Sequence, residues 1–104
     1  LGAVGQELSI EDGKAAARLC ALNAVAQAKA ACGGDLERIK RVVKLTVFVN
    51  SAAGFAQQPE VANGASDLFV EIFGEAGKHA RSAVGAVSLP RNVATEVEAI
   101  IEIA

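Results

Sequence analysis

Methionine, tryptophan and tyrosine are absent from these 104 residues, and the only aromatics are four phenylalanines. Lacking methionine, the chain has no initiator, so it is expected to be a fragment or part of a longer protein. Nucleic-acid modules ordinarily show a basic patch or stacking Tyr and Trp. Here ten Lys/Arg meet twelve Asp/Glu for a net charge of −2, which disfavours RNA or DNA as the main partner. No apolar run reaches eighteen residues and no signal peptide is visible, so a soluble, cytoplasmic protein without a membrane partner is expected. With one histidine and two cysteines, no His/Cys/Asp cluster of the kind a metal needs stands out. Cys20 and Cys32 fall in one helical segment, about 18 Å apart along a helix and beyond disulfide reach. They read as small buried groups.

What is present is apolar: 52% of the chain, much of it Ala and Val. One domain spanning 1–104 is the natural prior for this length, and so apolar a small domain is expected to bury some surface against copies of itself. Residues 1–8 show no period and read as loop. Ser9-Ile10-Glu11-Asp12 supplies an N-cap hydroxyl and an acidic N3, a capping box. The Ala-rich helix that follows ends at Gly33-Gly34. Its wheel sets Glu11, Lys14, Arg18 and Lys29 on one side and Leu19, Leu22, Ala26 and Ala30 roughly opposite, with Asn23 among them.

Residues 42–50, VVKLTVFVN, read as a strand from their β-branched content. One face carries Val43, Leu45, Val47 and Val49, the other Val42, Lys44, Thr46 and Phe48. A second helix begins near Pro59, with Val61, Ala65, Leu68, Phe69, Ile72 and Phe73 on its apolar face. Gly74 and Gly77 close it. Two strands, about 81–88 and 94–103, are joined by LPRNV and read as an antiparallel hairpin. The order helix, strand, helix, strand, strand predicts an α+β sandwich: a mixed sheet with both helices on one side.

Alternation assigns the charges of the final strands. Val97, Ala99, Ile101 and Ile103 face one way, Glu96, Glu98, Ile100 and Glu102 the other. A hairpin centred on Pro90-Arg91 would put Val84 and Ala86 on the helix side. Arg81, Ala83, Gly85 and Val87 would then share the open face with the glutamates, Phe48 and Ile100. That face is too apolar for solvent and too charged for a core, so a second subunit is expected to cover it. Arg81 then either pairs with a glutamate or anchors a ligand.

Three stretches carry a family resemblance: "LCALNAVAQAKAACGGDLERIKRVVKLTVFVNSAAGF", "ARSAVGAVSLP" and "TEVEAIIEI". Together they resemble the YjgF/RidA family of reactive intermediate deaminases, also labelled endoribonuclease L-PSP, and in particular a longer bacterial subgroup. The resemblance implies a chorismate-mutase-like fold in a homotrimer, sheets facing inward and clefts between subunits. It also implies an N-terminal β-hairpin before the first helix, for which no residues are seen here, so either the sequence is incomplete or a smaller sheet is expected. Arg81 corresponds to the arginine that anchors the carboxylate of a 2-imino or 2-enamino acid. Glu96 corresponds to the glutamate that activates the attacking water. The products would be a 2-keto acid and ammonia, with no metal or cofactor, because a protonated imine is already electrophilic. Two departures from the pattern are Ala83, where deaminases often carry cysteine, and Lys78-His79-Ala80, where proline usually precedes the arginine.

His79 reads either as an exposed loop residue or as a cleft residue near Arg81. Asn63 either packs on the helix surface or faces a cleft as a substrate-binding group. Glu98 reads as an ion-pair partner across the interface, and Ser82 points away from Arg81. Three functions follow: an imine deaminase, a non-catalytic trimer that binds a small carboxylate or serves as scaffold, and, least supported, an endoribonuclease.

Overall fold

Ser9 starts the first helix as its sequence requires. The Ser9 hydroxyl accepts from the Asp12 backbone N–H, and the Asp12 carboxylate accepts from the Ser9 N–H, each at 3.1 Å. In the computed structural model, which describes residues 2–6, 8–52, 54–86, 89 and 93–103, this helix (α1) runs Ile10–Ala31. It ends where Gly33 and Gly34 take φ of +67° and +91°. There the Gly34 N–H reaches back to the Lys29 carbonyl at 2.8 Å, closing the last turn in a way a β-carbon would oppose.

A 3-10 turn, Leu36–Arg38, leads into β1, Ile39–Asn50, three residues longer at its start than the pattern predicts. Helix α2 is Gln58–Phe73, with Pro59 in its first turn where a missing N–H costs nothing. A second 3-10 turn, Gly74–Gly77, precedes β2, Ala80–Ala86, and the described chain closes with β3, Thr95–Ile103. Both helices pack on one face of the three strands. The expected α+β architecture is thus present.

The hairpin is not. Strand order is β2-β1-β3, with β2 parallel and β3 antiparallel to β1. β1 takes the centre because its inward side chains, Leu45, Val47 and Val49, are wholly buried. Ala86, at the end of β2, and Thr95, at the start of β3, flank the same end of β1 and so lie two strand spacings, about 10 Å, apart. The predicted Val87 placement and the Pro90-Arg91 turn lie outside the described residues.

Moving β2 to the other side of β1 changes which of its residues look inward. Leu45 pairs with Arg81, Val47 with Ala83 and Val49 with Gly85. Arg81 and Ala83 therefore lie on the helix side, not with the glutamates, and Val84, expected inside, is 43% exposed. β3 keeps its predicted alternation: Val97 and Ala99 oppose Val47 and Leu45, while Glu96 and Glu98 oppose Phe48 and Thr46.

Two further expectations fail for local reasons. A register irregularity between Val42 and Lys44 inserts one residue into β1, so Val42 enters the core and Val43 is only half-buried. On α1 the buried residues are Gly13, Ala17, Ala21 and Val25, whereas Leu19 and Leu22 are 60% and 43% exposed. Asn23 and Ala26 are exposed too. Close approach decides this. A β-carbon on Gly64 of α2 would collide with the Lys14 carbonyl of α1, so the helices meet through their smallest residues and exclude the leucines.

Phe69 of α2 fills the centre of the core with Leu45, Val47, Val49, Val61 and Val4. Val4 lies in the segment expected to be loop. Its N–H donates to Asn50 O at 2.7 Å and its carbonyl accepts from Ala52 at 2.9 Å. Asn50 is itself buried, and its amide donates to Gly2 O and Val93 O, each at 3.2 Å. Cys20 and Cys32 are both free thiols. Cys32 is buried beyond the end of α1, and Cys20 lies 3.5 Å from the Thr95 hydroxyl on β3.

Candidate functional site

The predicted substrate-binding residues converge at the edge where α2 meets β2. Asn63, Ser66 and Val70 recur at intervals of three and four along α2, so they form one stripe. β2 is an edge strand, and Arg81, second in it and turned toward the helices, extends over that stripe. Its Nη1 donates to Asn63 Oδ1 at 2.6 Å and to Ser66 Oγ at 3.1 Å. Ser66, Val70, Lys78, His79 and Arg81 surround an open cleft of about 280 Å³.

His79 is half-buried rather than an exposed loop residue. Its ring meets the Phe69 ring edge-on at 6.1 Å between centroids. Gly77 makes this possible, because a β-carbon there would strike the Phe69 carbonyl. The tight turn leaves Gly77 O 2.6 Å from His79 Nδ1. A carbonyl can only accept, so Nδ1 carries the proton. In the neutral ring Nε2 is then an acceptor, 3.0 Å from Ser66 Oγ. The Ser66 hydroxyl donates its hydrogen to Nε2 and offers its lone pairs to Arg81.

The Nη1 hydrogens of Arg81 are thereby engaged by two neutral oxygens. Its Nη2 and Nε donors have no partner among the described residues, and no carboxylate there lies within ion-pair distance of it. Within one copy, therefore, no described glutamate pairs with Arg81. An Nε/Nη2 edge is the side-on fork that matches two carboxylate oxygens.

Glu96 does not join this cluster. It lies on the open face of the sheet, three register positions along and on the far edge strand from Arg81. There it is exposed beside Phe48, with Glu98, Val84 and Ile100 on the same surface. Ile100 is 55% exposed. Ser82, opposite Thr46, shares this face and points away from Arg81 as expected. Glu98 has no ion-pair partner among the described residues. Ser66 is not among the residues the sequence singles out; its spacing of three from Asn63 is the one signal that marks it.

No three His, Cys, Asp or Glu side chains gather as a metal set among the described residues, and no helix there is long and apolar enough to cross a membrane.

Residues 1–103 match the model of the family described as "YjgF/chorismate mutase-like, putative endoribonuclease". "Protein TCP17" of Trypanosoma cruzi is 55% identical over 103 residues, covering 98% of this chain and 64% of that protein. Two crystal structures superpose closely. Atu1372 from Agrobacterium tumefaciens, described as of unknown function, has a TM-score of 0.97 and 50% identity over 98% of this chain and 65% of its own. A protein from Shewanella oneidensis titled a "putative endoribonuclease" has a TM-score of 0.94 and 40% identity over 98% and 67%. The chain thus spans about two-thirds of the length of these relatives.

Proposed function

The chain belongs to the YjgF/chorismate-mutase-like family, and from that premise we propose that it hydrolyses 2-imino and 2-enamino acids to 2-keto acids and ammonia at clefts of a homotrimer. The observation that carries the reading is the Arg81 guanidinium at a cleft mouth, held through Nη1 with its side-on fork uncommitted among the described residues. The substrate carboxylate occupies that fork, which sets the imine carbon at a fixed distance beyond it. Water adds to the iminium carbon while Glu96 takes a proton from it. The nitrogen of the adduct is protonated, the C–N bond breaks with its electron pair leaving on ammonia, and the hydroxyl collapses to the keto group.

Arg81 and Glu96 lie on opposite faces of one sheet, so this chemistry requires Glu96 from a neighbouring copy. Exposed Val84 and Ile100 beside Glu96 favour a covered open face, and such a face would bring one copy's glutamate to another's α2–β2 edge.

Imines generated in situ from 2-amino acids test the proposal, with ammonia or 2-keto acid as readout. Arg81→Ala is expected to lower kcat/KM at least about a hundredfold. Glu96→Gln should lower kcat about a hundredfold or more while 2-oxobutanoate still binds. Turnover unchanged in both variants would end the deaminase reading.

Ala83, which stands where deaminases often carry cysteine, favours a second reading in which the same fork binds a 2-keto acid without turnover. Calorimetric binding of 2-oxobutanoate, lost in Arg81→Ala and accompanied by no imine hydrolysis in the parent, identifies that case. Cleavage of RNA that survives purification and vanishes in a site variant would instead support the family's endoribonuclease label.

A further inference from the structure

We propose that Ser66 and His79 are positioning residues that aim Arg81, acting as a directional hydrogen-bond relay anchored on the Gly77 carbonyl. The proposal rests on the reading of Arg81 as a carboxylate anchor and adds what makes that anchor work.

Each hydrogen in the chain has one place to go. Gly77 O accepts from Nδ1 at 2.6 Å, Nε2 accepts from the Ser66 hydroxyl at 3.0 Å, and Ser66 Oγ accepts from Arg81 Nη1 at 3.1 Å. A free serine hydroxyl rotates and offers hydrogen or lone pair to whatever approaches. This one cannot, because its hydrogen is committed to the imidazole. Arg81 consequently meets a fixed acceptor, and Asn63 Oδ1 takes the second Nη1 hydrogen. Two acceptors on one nitrogen fix the plane of the guanidinium and leave the Nε and Nη2 hydrogens unengaged among the described residues.

The relay is also anchored sterically. Phe69, wholly buried, packs against the imidazole edge, and only glycine fits at position 77. The turn before β2 thus transmits the position of the core to the fork. A carboxylate binding there need not first order a flexible three-methylene side chain, and that pre-ordering is where the affinity gain lies.

His79 is the only histidine, so ¹⁵N NMR of histidine-labelled protein reads its ring without overlap. In mildly alkaline buffer the resonances should show a protonated Nδ1 and a bare, hydrogen-bonded Nε2. Ser66→Ala should shift Nε2 toward its unbonded value and weaken 2-oxobutanoate binding about tenfold. In turnover the same variant should raise KM more than it lowers kcat, and Ser66→Thr, which keeps the hydroxyl, should recover most of the loss. His79→Phe keeps the ring packing and removes the acceptor. Combined with Ser66→Ala it should cost little more than Ser66→Ala alone, as expected for two members of one relay.

A proton on Nε2 instead of Nδ1 would overturn the proposal. So would unchanged affinity in Ser66→Ala alongside abolished binding in Arg81→Ala, which leaves the anchor standing without its relay. Binding that survives Arg81→Ala removes the anchor itself, and the relay with it.

Discussion

Two arginines reach α2 from different elements, and they are held in opposite ways. Arg18 of α1 forks onto Glu71, Nη1 to one carboxylate oxygen at 3.3 Å and Nη2 to the other at 2.9 Å. Arg81 of β2 meets, among the described residues, only neutral oxygens, through one nitrogen. The first guanidinium has its counter-charge built in, while the second is braced and left electrostatically unfinished. A protein that needed Arg81 only to tie β2 to α2 would gain more from a carboxylate at position 63 or 66. Asn and Ser there supply position without neutralisation, which is what a site for an incoming anion requires.

Breaking the second arrangement should have the largest consequence. Arg81→Ala removes the fork, and the hundredfold loss in kcat/KM should come with little change in thermal midpoint, since the side chain is exposed. Arg81→Lys keeps the charge and discards the geometry. Steady-state kinetics should place it between parent and alanine variant, about tenfold below the parent, because an ammonium cannot present two parallel N–H groups.

Supplying the missing counter-charge sharpens the contrast. Asn63→Asp makes the Arg81 tether resemble the Arg18 pair, and calorimetry with 2-oxobutanoate should show binding weakened about tenfold as the new carboxylate competes for the guanidinium. An unchanged affinity would mean that the neutrality of the tether is incidental.

The smallest effects belong to the finished pair. Glu71→Gln should lower the thermal midpoint slightly and leave ligand binding untouched, because both partners are solvent-exposed. The hydrogen bond from Arg18, and then its charge, holds the Glu71 carboxyl below the ordinary value of 4.5. A carboxyl depressed in the folded state contributes stability that is complete above that ordinary value and disappears as acid titrates the folded protein. Unfolding curves of parent and Glu71→Gln should therefore differ near neutrality and converge at low pH.

Features that depend on neighbours a few residues away were legible from the chain. The capping box at Ser9, the Gly33-Gly34 stop and the inward Val61, Ala65, Leu68 and Phe69 of α2 follow from local chemistry at helical spacing. Ile72, expected on the same face, is instead exposed at the end of the helix. The alternation within β3 is local too. Alternation states which residues share a face, though, and not which face is which. Arg81 was misplaced because a hairpin was the shortest pairing for β2, whereas the observed order puts β1 between β2 and β3. The slip at Val42–Lys44 had the same character, one inserted residue reversing the sides before it. On α1, hydrophobicity pointed to Leu19 and Leu22, while the need for close helix contact favoured Gly13, Ala17 and Ala21.

The site divides along the same line. Resemblance and position point to Arg81, Asn63 and His79, and the fold brings all three together. Resemblance points equally to Glu96, which lies on the other side of the sheet. Ser66 has only its spacing from Asn63 to mark it, and that spacing gains meaning when a histidine and an arginine arrive from another element.

By itself, then, the sequence determined where helices start and stop, that a mixed sheet forms beneath them, and which residue types are on hand to grip an anion. Tertiary structure alone decided that β1 is central, that Arg81 turns toward α2, and that Ser66 stands between it and His79. The reason is one of range: caps and periodicities are settled within a turn or two of chain, whereas strand order and the meeting of positions 63, 66, 79 and 81 depend on packing that no local segment encodes.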